Sequence, residues 1–161
     1  MTRVLYPGSF DPITKGHMNI VDQAINLFDS VVIAVMHNPT KKENMFTVEE
    51  RVNLIKELYK DHPNVEVISS MGATVDVAIN NNCSAIIRGL RSLSDYDYEV
   101  QMNQFNKEIS NNRVSTICLF ADKEYQFVSS SMVKEIFSLN KDISRYVDDS
   151  VIKKMQEKKN F

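Results

Sequence analysis

Apolar and polar positions along the chain fall into two alternating regimes. Short runs rich in β-branched residues occur at Arg3–Tyr6, Val31–Val35, Val65–Ile68, Ala85–Ile87 and Thr116–Phe120. Longer stretches between them repeat apolar residues every three or four positions, so the pattern predicts strands alternating with helices. Near-continuous apolar character in the second and fifth runs predicts strands buried on both faces, as in a parallel sheet. His17–Phe28 places Ile20, Ala24, Leu27 and Phe28 on one stripe. Thr47–Tyr59 opens on "TVEE", a capping box in which Thr47 and Glu50 satisfy each other's backbone donors, with Val48, Val52, Ile55 and Leu58 as its buried face. Shorter and longer helices are expected at Thr74–Asn80 and Tyr98–Ile109. "SSSMVKEIFSL" begins another on serines, which suit helix N-termini. Asp148 or Asp149 can cap a last helix through Lys158, whose lysines suit a negative dipole end.

Strand–helix alternation throughout predicts an α/β fold: a doubly wound, five-stranded parallel sheet, Rossmann-like, with right-handed crossovers and helices on both faces. No linker, internal repeat or low-complexity tract interrupts the 161 residues, so residues 1–161 read as one domain. In such folds ligands bind beyond the carboxyl ends of the strands. The informative loops are therefore Pro7–Gly16, Met36–Asn44, Ser69–Ala73, Arg88–Asp97 and Ala121–Ser131.

Composition narrows the partners. Hydrophobic residues make up 43% and charged residues 25%, the balance of an ordinary soluble protein. A formal net charge of -2 lacks the basic surplus of nucleic-acid binders, so no nucleic acid is expected. Cys83 and Cys118 lie far apart, without a CxxC or a neighbouring histidine, which points to reduced thiols in a cytoplasmic protein and no metal ligands. The start, MTRVLYPGSF, lacks a signal-peptide core, and no apolar run approaches the roughly 18 residues of a membrane span.

The strand-end loops carry the chemistry. In "YPGSFDPITKGH", Gly8 permits close backbone approach, Ser9 adds a hydroxyl, and Gly16 leads into a helix whose free amides favour anions. His17 would place a side-chain donor beside those amides, or be a surface histidine after a turn. Lys41 and Lys42 in "HNPTKKENMF" are mobile charges suited to phosphate, or simply solvated. His37 and His62 read as structural. In "IRGLRSLSDYDYE", Arg88 and Arg91 flank Gly89 after a buried strand. They can grip polyphosphate oxygens or form ion pairs with Asp95, Asp97 or Glu99. Ser129, Ser130 and Ser131 offer an anion cradle at a helix end, or only its cap.

"GSFDPITKGH" resembles the G-[ST]-F-D-P-x-[TH]-x-G-H signature of the nucleotidyltransferase superfamily. With "KK..MFTVEERV", "IRGLRSLSDYDYE" and "VSSSMVKE", the chain resembles the bacterial phosphopantetheine adenylyltransferase family over essentially its whole length. The resemblance implies that ATP and 4'-phosphopantetheine give dephospho-coenzyme A and pyrophosphate, the penultimate step of coenzyme A biosynthesis, with Mg²⁺ assisting. It also implies direct in-line attack of the pantetheine phosphate on the α-phosphorus, in a homohexamer. Its catalytic residues map to His17, Lys41 and Arg91. ATP contacts map to Ser9, Phe10, His17, Gly89, Leu90, Arg91, Glu99 and the run Tyr125, Gln126, Phe127, Val128, Ser129, Ser130, Ser131. Acceptor contacts map to Ser9, Lys41, Thr74 and Arg88, with Lys42 an alternative to Lys41. Ser9 stands where relatives often carry Thr, and Tyr125 where some carry Trp. A related adenylyltransferase acting on another acceptor, such as nicotinamide mononucleotide, is the alternative. There an arginine is expected after the serine cluster, where this chain has Lys134-Glu135.

Overall fold

A computed structural model describes residues 1–37, 40 and 44–159. Five strands, β1 (Arg3–Gly8), β2 (Ser30–Met36), β3 (Val65–Ser70), β4 (Ala85–Leu90) and β5 (Ser115–Phe120), form one sheet in the order β3-β2-β1-β4-β5. Every pairing is parallel. Six helices accompany them among the described residues: α1 (Lys15–Leu27), α2 (Val48–Leu58), α3 (Thr74–Asn80), α4 (Leu93–Ile109), α5 (Ser130–Ser138) and α6 (Asp149–Lys159). A single 3-10 turn, Lys123–Tyr125, precedes α5.

Two apolar clusters lie on opposite faces of the sheet. Val4, Tyr6, Ile33 and Ile87 pack with Ile20 and Ala24 of α1, Ile55 of α2, Val133 of α5 and Met155 of α6. Residues of opposite strand parity, Leu5, Val32, Ala34 and Ile86, pack with Val75 and Ala78 of α3. The period-two alternation of side chains along a strand produces this division.

The predicted α/β architecture is the one observed, with differences that have physical reasons. β2 is buried along almost its whole length, as its apolar run requires. β5 is not: Ser115, Cys118 and Phe120 are exposed, because β5 is an edge strand and α4 buries only Glu99. On α1, Leu27 lies in solvent at 62% exposure and Val21 takes its place in the core. On α2 the deepest positions are Arg51, Leu54 and Ile55, whereas Val48, Val52 and Leu58 pack only at the core's margin. α4 starts at Leu93 rather than Tyr98, because Ser92 caps it by accepting from the Asp95 amide. Strand β4 runs on through Arg88, Gly89 and Leu90, which therefore belong to the sheet and not to the loop after it.

The chain reverses its direction of travel across the sheet between β1 and β4. These strands pair only at Val4↔Ala85 and Leu5↔Ile86, whereas β1 and β2 stay in register over six positions. Past Leu5 the two strands part, and the gap opens at their carboxyl ends, as expected at a topological switch point.

Candidate active site

The parting of β1 and β4 is filled by a cavity of about 290 Å³, lined by Gly8, Ser9, Gly16, His17, Arg88, Gly89 and Arg91, with Tyr125, Val128, Ser129 and Ser130 closing it from the last loop. Three of the five strand-end loops, the first, fourth and fifth, thus meet over one opening with the start of α1, and Ser69–Ala73 does not reach it.

The first segment depends on an unusual turn. None of the described glycines has a positive φ; the left-handed residue is Phe10, at φ 48. Its ring is buried beneath the loop, so close to Gly8 that a Cβ there would lie 2.9 Å from it. Gly8 is thus required for packing, and Phe10, assigned to nucleotide, lies buried edge-on to the Tyr6 and His17 rings. The Asp11–Pro12 bond is cis. Asp11 is buried and accepts from the Met45 and Phe46 amides at 2.9 and 2.8 Å.

α1 begins two residues earlier than periodicity predicts, and the reason is His17 itself. Thr14 is the N-cap, its hydroxyl accepting from the His17 amide at 3.3 Å. The His17 ring reaches back, and Nδ1 accepts from the Thr14 amide at 2.9 Å. This is a capping box with histidine where glutamate or glutamine usually stands. A backbone N–H is always a donor, so Nδ1 must be unprotonated and the neutral ring carries its proton on Nε2. Burial, with the Arg91 charge as a lesser cause, pushes the ring's pKa from 6.5 down to about 4. His17 is therefore a neutral Nε2–H donor fixed in direction by its own helix cap.

Arg88 and Arg91 both form ion pairs of the kind their spacing allowed, and both also line the cavity. Arg88 Nε donates to Glu99 at 2.8 Å, and Glu99 is buried. Because this ion pair uses Nε, the terminal nitrogens can address an anion without breaking it. Glu99 itself does not line the cavity; it holds Arg88 in place. Arg91 pairs with Asp95 at 3.3 Å and donates through Nη1 to the Val128 carbonyl at 3.1 Å, tying the fourth loop to the fifth. Gly89 lets α1 pack close on the sheet: a Cβ there would come 3.1 Å from Ile20.

The serine cluster is more structural than its hydroxyls suggest. Ser129 is the N-cap of α5, accepting from the Met132 amide at 3.1 Å. Ser130 donates to the Pro12 carbonyl at 2.7 Å and so pins α5 to the first loop. What α5 offers an anion is its amides: those of Ser130 and Ser131 have no hydrogen-bond partner among the described residues. A reciprocal pair, Asn19 Nδ2 to Asp122 at 2.6 Å and Asp122 amide to Asn19 Oδ1 at 3.0 Å, fastens the last loop to α1.

Other assigned positions lie elsewhere. Leu90 is buried at the end of β4, while Gln126, Phe127 and Ser131 are exposed outside the cavity lining. Thr74 is the first residue of α3, also outside that lining. Lys41 and Lys42 lie outside the described residues. Tyr6, Pro7, Ile20 and Ala121 line the cavity although no motif singled them out. They are core and strand-end residues, and only the parting of the strands exposes them to a ligand. The spacing T-x-x-H before an apolar stripe was the one overlooked signal for the histidine's second role.

The free α5 amides, two arginines and a neutral histidine donor gather where the parallel strands part, an arrangement suited to phosphate. Residues 5–136 match the cytidylyltransferase-like family, to which the chain belongs. Phosphopantetheine adenylyltransferase of Caldanaerobacter subterraneus subsp. tengcongensis is 46% identical, the match covering 98% of each chain. That of Finegoldia magna is 45% identical over 99% of this chain and 97% of its own, and that of Frankia casuarinae 44% identical over 98% of each. Within the wider family the chain therefore belongs with the phosphopantetheine adenylyltransferases. The crystal structure of a lipopolysaccharide core biosynthesis protein from Thermoplasma volcanium matches with a TM-score of 0.57 at 22% identity, over 76% of this chain and 98% of that one, which is a likeness of fold.

Proposed function

We propose that the chain, acting as one domain over residues 1–161, transfers the adenylyl group of ATP to 4'-phosphopantetheine. The products are dephospho-coenzyme A and pyrophosphate. The observation that carries this reading is the fixed neutral His17 donor beside unbonded helix amides, in a chain whose near full-length relatives bear this name. Those relatives favour phosphopantetheine over nicotinamide mononucleotide as the acceptor.

Two anions must approach each other, so their repulsion is screened first. Arg88, with Lys41 or Lys42, is assigned to the attacking phosphate, and Arg91 with the α5 amides to the polyphosphate. As the α-phosphorus is attacked, charge grows on its equatorial oxygens. His17 Nε2–H stabilises them without transferring its proton, since a ring with a pKa near 4 is neutral throughout the physiological range. No general base is assigned: the phosphate is already anionic near neutral pH.

Among the described residues no group of three or more His, Cys, Asp or Glu is placed to hold a metal. The carboxylates nearest the cavity are committed: Asp11 to amides and Lys134, Asp95 to Arg91, Glu99 to Arg88. This donor set does not fit a resident Mg²⁺ cage; in this reading Mg²⁺ would come with ATP and would supply neutralisation of its phosphate charge.

Assembly as a homohexamer is part of the same proposal. Its support is apolar surface on and beside α4, where Leu93 is 86% and Phe120 76% exposed. Cytoplasmic location is proposed too; no described helix is long and apolar enough to cross a membrane. The test is pyrophosphate release from ATP with 4'-phosphopantetheine against nicotinamide mononucleotide. Release with only the latter refutes the reading.

A further inference from the structure

The largest fully buried side chain is a charged one. Arg51, at the end of the first turn of α2, is 2% exposed. Burying a guanidinium is costly unless its donors and charge are satisfied. Its Nη1 donates to the Ser9 carbonyl at 2.8 Å and its Nε to the Thr47 carbonyl at 3.3 Å. No carboxylate bonds it directly among the described residues. Its charge is met by Asp11, 3% exposed, whose nearness opposes the lowering of the Arg51 pKa by burial. Asp11 in turn holds the Met45 and Phe46 amides and takes Lys134 of α5 at 3.2 Å.

A helix gains nothing in propensity from burying arginine in place of leucine, so the site calls for another explanation. The carbonyl it grips belongs to Ser9, which lines the cavity next to the left-handed Phe10. A non-glycine residue at positive φ is held only where its surroundings over-determine it. We infer that Arg51, with Asp11 as counter-charge, is a positioning residue for adenylyl transfer. By fixing the Ser9 carbonyl it sets the direction in which the Gly8–Ser9 segment faces the reacting phosphates. Through Asp11 the same brace holds the Met45–Phe46 backbone just before α2 and joins it to α5. The inference rests on the proposed transfer reaction, but its cause is the turn geometry.

The test compares wild type with Arg51→Met, which keeps the bulk and removes charge and donors, and Arg51→Lys, which keeps the charge but can reach one carbonyl. Turnover is taken per folded molecule, well below the melting temperature. Arg88, Arg91 and the last loop are untouched, so ATP affinity by calorimetry should stay within about threefold while kcat falls roughly 10–100-fold in Arg51→Met. Arg51→Lys should fall between that variant and wild type. Amide exchange over residues 8–11 should quicken at least about tenfold in Arg51→Met, with α4 unaffected. A purely structural role would lower the melting temperature and leave kcat per folded molecule within twofold of wild type; that result overturns the inference. If Arg51→Met does not fold, Arg51→Lys decides, and wild-type kcat in it is equally fatal. A wild-type chain inactive with 4'-phosphopantetheine refutes the functional reading instead, and the exchange rates of residues 8–11 then judge the brace alone.

Discussion

His17 caps α1 in this structure and is the proposed donor to the reacting phosphate, and three substitutions separate the two roles. As N3 of the α1 capping box it accepts from the Thr14 amide; as a neutral imidazole it presents Nε2–H to the cavity it lines. His17→Ala removes both. Losing one cap bond costs about 1 kcal/mol, which for a chain of this size lowers the melting temperature by roughly 2–4 °C. Losing a donor aimed at developing charge costs about 2.7–4 kcal/mol of transition-state stabilisation, or roughly 10²–10³ in kcat. His17→Glu restores the ordinary capping-box residue and with it the stability, but an ionised carboxylate only accepts, so turnover stays at or below the alanine level. His17→Gln keeps the cap through its carbonyl oxygen and returns an N–H donor at imperfect geometry, so part of the turnover comes back. Melting curves should rank wild type, Gln and Glu together above Ala. Steady-state pyrophosphate release should rank wild type above Gln, and Gln above Ala and Glu. If the alanine variant kept turnover within about threefold of wild type, or turnover simply followed stability through the series, the donor role would be wrong.

Arg91→Ala should weaken ATP binding by roughly tenfold, and 4'-phosphopantetheine binding much less, because it loses both the proposed phosphate contact and the bond to Val128; calorimetry giving the reverse order contradicts the assignment. The His17 pKa of about 4 lies below the 6.5 of an unfolded chain, so the unfolded state binds the extra proton. The stability this group contributes is complete above pH 6.5 and is lost as pH falls towards 4, at most about 3 kcal/mol; denaturation at pH 7 and 5, with His17→Gln as control, measures it. NMR titration of the ring should show no midpoint near 6.5. Gly89→Ala should press on Ile20 and lower both stability and turnover, and Ile20→Val should recover part of each. Substituting Lys41 and Lys42 singly should raise the KM for 4'-phosphopantetheine about tenfold for one and leave it near wild type for the other.

The sheet and its strand-end loops were legible because they rest on periodicity and loop position, which are set by the order of apolar and polar residues along the chain. Burial of β2 followed from its unbroken run of valine, isoleucine and alanine. β5 looked equally apolar, yet a run of residues does not state whether its strand lies at an edge, and this one does. His17, Arg88 and Arg91 were recognisable as chemistry. Their restraints were less so: Asp95 was foreseen only as a rival to phosphate, and Glu99 as that or as an ATP contact, whereas in the structure both pair with the arginines. Arg51 was invisible. Charged residues inside a helix pattern are read as solvent-facing, and only tertiary packing shows that one is enclosed. Phe10 escaped for a related reason, since left-handed backbone is expected at glycine and this loop supplies two glycines that do not adopt it.

The divergence of β1 from β4 after Leu5 has a consequence for how the molecule meets its ligands. Its floor is drawn by hydrogen-bond register, and only the rim by side chains such as Arg91 and Tyr125. Substrates thus enter a berth already cut into the framework, and little of their binding energy is diverted into prising the fold apart. Evolution could exchange the groups around the rim, and so the acceptor, while the frame beneath them stayed the same.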